Sequence, residues 1–236
     1  MELRKKSILI ALCIGDGYIT HQKQIKKGRT YQYNYLEISH GQHQKDYIEW
    51  KANLCKSITG KKCTVREKIY KKKSICGHKE TPKSIGYTFT CSASYFRVLR
   101  RWLYPNNQKK LSKKYLSYLD ELGLAIWYMD DGSTYVSKKD RGFTVEFSTH
   151  VPEQDALELI DLFNEKWRIS FKLHKKKENQ FNIRAYSSNA LKFIKLIEAF
   201  VPDCMAYKLI VPKFYFQECT ASHLKKIEGM KIYSEQ

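Results

Sequence analysis

An apolar, helix-like stretch ending in Asp-Gly occurs twice in this chain, and the residues after each copy also match. The first copy runs Ile8-Leu-Ile-Ala-Leu-Cys-Ile-Gly-Asp16-Gly17, the second Leu122-Gly-Leu-Ala-Ile-Trp-Tyr-Met-Asp130-Asp131-Gly132. Behind the first come residues 18–20, a basic loop over 22–29 and an alternating stretch over 31–39. Behind the second come 133–136, a basic loop with Lys138, Lys139 and Arg141, and an alternating stretch over 143–149. Both alternations predict strands, because every second strand residue faces the same side. A helix is expected next in each half, over 43–58 and 152–167, the latter opening on a proline suited to a helix start. Two further strands follow in each, over 63–72 and 86–91, then over 169–177 and 180–186. Each half closes on a helix and a proline, 94–104 before Pro105 and 188–201 before Pro202. The order αββαββα, twice, predicts an α+β fold of two pseudo-symmetric halves with antiparallel sheets. The halves are drawn at 1–114 and 115–220, with a tail at 221–236.

Both motif helices are apolar around most of their circumference, so both are expected to be buried. Ala11, Gly15, Gly123 and Ala125 sit where close helix contact needs small side chains. The glycine after each aspartate reads as a left-handed helix cap. The aspartate is out of place, because a carboxylate at a helix C-terminus faces the negative end of the macrodipole. Two such placements call for a cation to offset them. If the helices pack side by side, Asp16 and Asp131 meet at one end, and two carboxylates facing phosphates make a divalent-metal site for phosphodiester hydrolysis.

Composition fits that partner. Lys+Arg is 43 against 24 Asp+Glu, a formal charge of +19, while 42% hydrophobic and 14% aromatic residues supply a core. A surplus of this size favours a polyanion, and phosphate neutralisation with counterion release makes nucleic acid the leading candidate. A membrane surface would favour one concentrated basic helix, whereas these charges are spread along the chain. The longest apolar run is Ile8–Ile14, seven residues, far short of the roughly 20 a membrane span needs. It leads into Gly15-Asp16-Gly17 rather than a cleavage site, so it does not read as a signal peptide. Seven cysteines without Cys-x-x-Cys spacing read as reduced, mostly buried thiols of a protein that is not secreted. Cys63, Cys76, His78 and Cys91 cluster locally, with a spacing irregular for zinc.

The segments 9–17 and 124–132 resemble the LAGLIDADG motif, and the chain resembles the double-motif, single-chain LAGLIDADG homing endonucleases of the intron-encoded type. The resemblance covers nearly the whole chain. In the first copy the sixth motif position is Ile14 rather than an acidic residue, and the terminal aspartate is kept. The resemblance implies that the motif helices form the interface between the halves, whose sheets make a saddle over DNA. It implies Mg²⁺ at Asp16 and Asp131, with Gly15 and Asp130 beside them, Mn²⁺ as a substitute and Ca²⁺ binding without cleavage. It also implies cuts leaving short 3′ overhangs, and a basic residue near each metal. Lys110 and Lys208 follow Pro105 and Pro202 at corresponding places, with Lys109 as the alternative in the first run. The internal duplication implies a monomer acting on a long, asymmetric site. The host compartment would be an organelle or a bacterial or phage cytoplasm.

The DNA-facing candidates come from strand alternation. Lys172, His174 and Lys176 share a face opposite Ile169, Phe171 and Leu173. Asn182, Arg184 and Tyr186 share a face opposite Phe181, Ile183 and Ala185. In the first half Arg66, Lys68, Tyr70 and Lys72 oppose Val65 and Ile69, and Tyr31, Tyr33 and Tyr35 oppose Gln32 and Asn34. Tyr135 follows the second motif. Lys23, Lys26 and Arg29 in the loop at 22–29, with the loops at 71–83 and 138–141, are expected to reach flanking DNA. Arginine and amide side chains would read bases while lysines hold phosphates. The alternatives are an RNA-binding intron maturase of the same fold and a non-cleaving DNA-binding regulator. Such regulators carry an added helix-turn-helix domain, for which the residues after 220 are too few.

Overall fold

The computed structural model describes residues 2–26, 28–70, 84–136, 143–212 and 225. Lys72, Cys76, His78, Lys138, Lys139, Arg141 and, but for residue 225, the tail at 221–236 lie outside the described residues. Lys26 and Tyr70 are described by backbone alone.

The elements run α1 (Leu3–Ile14), β1 (Tyr18–Ile19), β2 (Gln22–Lys26), β3 (Arg29–Tyr33), β4 (Leu36–Gly41), α2 (Lys45–Thr59), β5 (Arg66–Tyr70), β6 (Ser84–Cys91) and α3 (Tyr95–Leu103). They continue with α4 (Lys113–Leu116), α5 (Glu121–Asp131), β7 (Gly132–Val136), β8 (Phe143–Val151), α6 (Glu153–Trp167), β9 (Lys172–Lys177), β10 (Gln180–Tyr186) and α7 (Ser187–Ile197). Contacts divide the chain into two compact units, Met1–Gly15 with Lys109–Gln236, and Asp16–Gln108.

The first of these, the motif unit, contains both apolar helices. Its antiparallel sheet has the order β7-β8-β10-β9, and α1 packs along α5. Every residue from Ser7 to Ile14 and from Gly123 to Met129 is buried, as helices apolar on all sides require. Around α5 the core is aromatic. Trp127 lies 4.6 Å from Phe147, Tyr128 4.9 Å from Phe193, and Phe163 4.4 Å from Phe171, ring centre to ring centre.

The Asp16–Gln108 unit has a sheet of order β1-β4-β6-β5, with α2 packed on β6 and β4. Buried Arg100 ties α3 to β1, its Nη1 donating to Ile19 O at 2.6 Å while its guanidinium lies 4.1 Å from the Tyr104 ring centre. The segment at 22–29 is not a loop. β2 and β3 form a two-stranded ribbon that turns at Gly28, φ +72°. The expected single strand over 31–39 therefore breaks in two. Thr20 N–H donates to Tyr35 O at 2.9 Å and the Asn34 amide donates to Thr20 O at 2.8 Å. These bonds close the β1–β4 ladder and release the chain on either side as a separate ribbon.

Candidate functional site

Close approach of the two motif helices explains Gly15 and Gly123, and the ring of a residue in its own helix explains Gly132. A Cβ on Gly15 would lie 2.2 Å from Asp130 Oδ2 and 2.6 Å from Asp130 Cβ. A Cβ on Gly123 would lie 2.1 Å from Ser7 Oγ, and one on Gly132 2.0 Å from the Tyr128 ring. The left-handed cap expected after each aspartate is not formed. Among the described residues only Gly28 and Gly60 are glycines with positive φ; Gly132 sits at φ −88° and is glycine because the Tyr128 ring fills the space of a side chain. Gly15→Ala should lower stability by about 1–3 kcal/mol, the usual effect of overpacking, read as a fall in the thermal midpoint.

At their other ends the helices are pinned by a shared cap. Asp120 Oδ1 accepts from Gly123 N–H at 2.9 Å and from Ser7 Oγ at 2.7 Å, while Asp120 N–H donates back to Ser7 Oγ at 2.8 Å. This satisfies an orphan donor of α5 and locks the register of α1 against it.

The motif ends each receive an ammonium. Lys109 Nζ donates to Gly15 O at 2.6 Å, immediately before Asp16. Lys208 Nζ donates to Gly132 O at 2.5 Å, immediately after Asp131. The Lys208 carbonyl in turn accepts from Thr134 Oγ1 at 2.8 Å and from Tyr128 Oη at 3.2 Å. Asp131 Oδ2 accepts from Trp127 Nε1 at 3.1 Å, one helical turn earlier. Of the two candidate lysines in the first run, it is Lys109 that reaches the motif. Lys110 is exposed with Nζ 3.4 Å from Asp155 Oδ1.

In the other unit Asp16 has two buried neighbours that sequence reasoning missed. Its Oδ2 lies 3.7 Å from both Lys51 Nζ and His40 Nδ1. Lys51 is 0% exposed, with Nζ 3.1 Å from His40 Nε2 and 4.4 Å from the Tyr47 ring centre. An ammonium only donates, so His40 Nε2 accepts and Nδ1 carries the hydrogen, 3.1 Å from Gln44 Oε1. A signal for Lys51 existed. The buried face of α2 is Tyr47, Ile48, Lys51, Ala52 and Cys55, so the lysine stands in the apolar stripe at helical spacing.

The predicted DNA-facing residues divide. On the motif unit's sheet, register sets Lys172 beside Arg184, Arg184 beside Glu146 and Glu146 beside Ser133. It also sets Tyr186 and Tyr135 on either side of Thr144. Lys172, Lys176, Tyr135 and Tyr186 are exposed there, and His174 is half-buried on the same face. Its partial burial, and then the Arg184 charge, lower its pKa, favouring the neutral ring.

Asn182 requires correction. It is fully buried, donating to Glu146 Oε1 at 2.7 Å and accepting from His150 N–H at 3.2 Å, so it is not a surface contact. Arg184 Nε bonds Glu146 Oε2, and Lys176 Nζ lies 3.3 Å from Glu146 Oε1. Burial pushes the Glu146 carboxyl up, but its bonds from Arg184, Asn182 and Lys176 outweigh that and hold it below its ordinary range.

On the other sheet Arg66 and Lys68 are exposed, Arg66 beside Thr88 and Lys68 with Nζ 3.8 Å from Glu37 Oε1. Ile69, expected on the apolar side, is 56% exposed because β5 is an edge strand. On the ribbon Lys23, Arg29, Tyr31 and Tyr33 are exposed, with the two tyrosine rings stacked at 6.5 Å. Tyr35 lies half-buried at the ribbon's base, its Oη accepting from Gln22 Nε2 at 3.0 Å.

Comparison with known proteins matches this chain to the profile of the LAGLIDADG DNA endonuclease family over residues 6–193. Among curated proteins it is 29% identical over 194 residues to the protein RecA of Mycobacterium gastri, covering 76% of this chain and 41% of that one. It is 26% identical over 218 residues to the cytochrome b mRNA maturase bI2 of Saccharomyces cerevisiae, covering 86% of this chain and 46% of the maturase. The chain thus spans less than half the length of these relatives. Among solved structures, the homing endonuclease I-WcaI bound to its DNA recognition sequence shares the fold. The TM-score is 0.70 at 22% identity, over 90% of this chain and 89% of that one.

Proposed function

Because the chain belongs to the LAGLIDADG DNA endonuclease family, we propose that it is a site-specific homing endonuclease. It breaks both strands of a long, asymmetric duplex site with Mg²⁺, leaves short 3′ overhangs, and acts as a monomer of two halves, 1–114 and 115–220. The observation that carries this reading is the repeated motif end. An aspartate next to a glycine carbonyl that accepts from a lysine ammonium occurs after α1 with Lys109 and after α5 with Lys208.

The donor set suits the metal. Asp16 and Asp131, each with a sequence neighbour that adds an oxygen (the Gly15 carbonyl before Asp16, the Asp130 carboxylate before Asp131), are hard oxygen donors of the kind Mg²⁺ and Mn²⁺ prefer, and Ca²⁺ would bind them without supporting cleavage. That both motif ends already attract an ammonium supports their affinity for cations. A divalent ion bound there would polarise the scissile phosphate, lower the pKa of the attacking water and stabilise the leaving oxygen. Lys109 and Lys208, held on backbone carbonyls, present fixed positive charge where negative charge grows in the transition state. Lys51 and His40 hold the Asp16 carboxylate from the protein side. The exposed cations and tyrosines of the two sheet faces and the ribbon supply phosphate and base contacts.

The test is cleavage of a randomised duplex library by the full chain, with Mg²⁺ and with EDTA. One long site cut in both strands, only with Mg²⁺, supports the reading; a folded, DNA-binding protein that cuts nothing overturns it. On the recovered site, Lys109→Met should reduce the single-turnover rate by about 10²–10³-fold, the scale of one lost transition-state donor. Lys110→Met should change it no more than a few fold, because its ammonium lies with Asp155.

The likeness to the yeast maturase supports a second reading, an RNA-binding role in the folding of a host intron. Binding of intron RNA by a chain that leaves every DNA duplex intact would favour it. Reduced cysteines suit an organelle or a bacterial or phage cytoplasm.

A further inference from the structure

Three cysteines that are distant in sequence meet in the Asp16–Gln108 unit. Cys55 lies in the last turns of α2, Cys63 in the segment between α2 and β5, and Cys91 ends β6. Their sulfurs all lie within 4.8 Å of one another. Cys55 and Cys91 are buried and Cys63 is half-buried at the rim, so solvent reaches the cluster from one side. No disulfide joins any two of the three.

We propose that Cys55, Cys63 and Cys91 form a thiolate site for zinc, separate from the aspartates of the motif ends. Sulfur donors select zinc over Mg²⁺ or Ca²⁺. Tetrahedral zinc with bonds of about 2.3 Å holds its sulfurs about 3.8 Å apart, so the cluster needs only a modest contraction. Water entering beside Cys63 completes the coordination.

Thiolates bind zinc only when deprotonated, so uptake of zinc by the three cysteines releases protons.

The consequence is structural. Zinc there would clip the end of α2 and the segment after it to the last residue of β6, the strand that pairs with β4 and β5. These elements carry His40, Lys51 and the cationic strand face. The metal thus braces the scaffold behind Asp16 and takes no part in cleavage.

The test titrates the reduced, metal-stripped full chain with Co²⁺, followed by Zn²⁺. The expected result is a sulfur-to-cobalt charge-transfer band with tetrahedral visible transitions, saturating at one equivalent and erased by zinc, and a thermal midpoint that rises with zinc. Affinity should increase with pH as the thiols lose their protons. Cys63→Ser, at the rim and least disruptive to folding, should weaken binding at least as much as loss of an outer-shell partner, about 10–100-fold. Cys204→Ser, an exposed cysteine of the other unit, should leave binding unchanged. Absence of the band in a folded chain with its thiols reduced overturns the proposal. So does a disulfide between any two of the three in protein purified under reducing conditions, or equal binding by Cys63→Ser. None of these readouts depends on DNA cleavage.

Discussion

On the proposed reading, Asp16→Asn and Asp131→Asn should each abolish double-strand cleavage, with an expected loss of at least ~10³-fold, in a protein that still folds and binds DNA. The size follows from the chemistry. Asparagine keeps the shape of the side chain but removes the charge that holds a divalent ion, and losing even one charge-stabilising donor costs about 10²–10³-fold; losing a metal ligand removes several such effects together. Binding should hold or tighten, because a negative charge facing phosphates has been removed. Single-turnover cleavage beside a binding titration separates the two effects. Folding is not at risk at Asp131, whose Oδ2 accepts from Trp127 Nε1, since an amide oxygen can accept the same bond. Cleavage surviving in either variant would move the metal site elsewhere, with Asp130 the next carboxylate to test.

Arg184→Leu should destabilise the fold by about 3–5 kcal/mol at neutral pH, the range for a buried ion pair that loses one partner. Glu146 is 0% exposed, and its carboxylate is held by Arg184, Asn182 and Lys176. Without the guanidinium a buried charge keeps only the amide and one partly exposed lysine. The pH dependence has a definite sign. In the native chain the folded pKa of Glu146 lies below its ordinary 4.5. Its contribution is therefore complete above 4.5 and disappears as pH falls through the lower folded value. In the variant that pKa climbs, so the penalty is greatest at neutral pH and shrinks in acid, where the carboxyl is neutral. Denaturant midpoints at neutral and acid pH measure this. Lys172→Ala, on the exposed part of the same face, should stay within about 0.5 kcal/mol. An equal loss in both variants would remove the buried network as the cause.

Much of the fold was legible because burial and period act locally. Segments apolar on every side, 8–14 and 122–129, must be enclosed whatever surrounds them. Alternation over 143–149 and 180–186 predicted strands that are present as β8 and β10. The candidate site was less legible. Alternation assigns a residue to a face but not to a depth, so Asn182 read as a surface contact although Glu146 and its partners enclose it. Lysine is ordinarily solvated, so Lys51 went unnoticed within the buried stripe of α2.

Residue type, period and charge were enough for the duplication, the two buried motif helices with aspartates at their ends, the cationic strand faces and the expectation of a nucleic-acid partner. Which lysine meets the first motif was open until the chain was folded, because Lys109 and Lys110 differ solely in direction. Folding also turned the basic stretch after β1 into a ribbon, through bonds between Thr20 and residues 34–35, and brought Cys55, Cys63 and Cys91 together. Contacts between residues far apart in the chain depend on how helices and strands pack, and no local pattern encodes that.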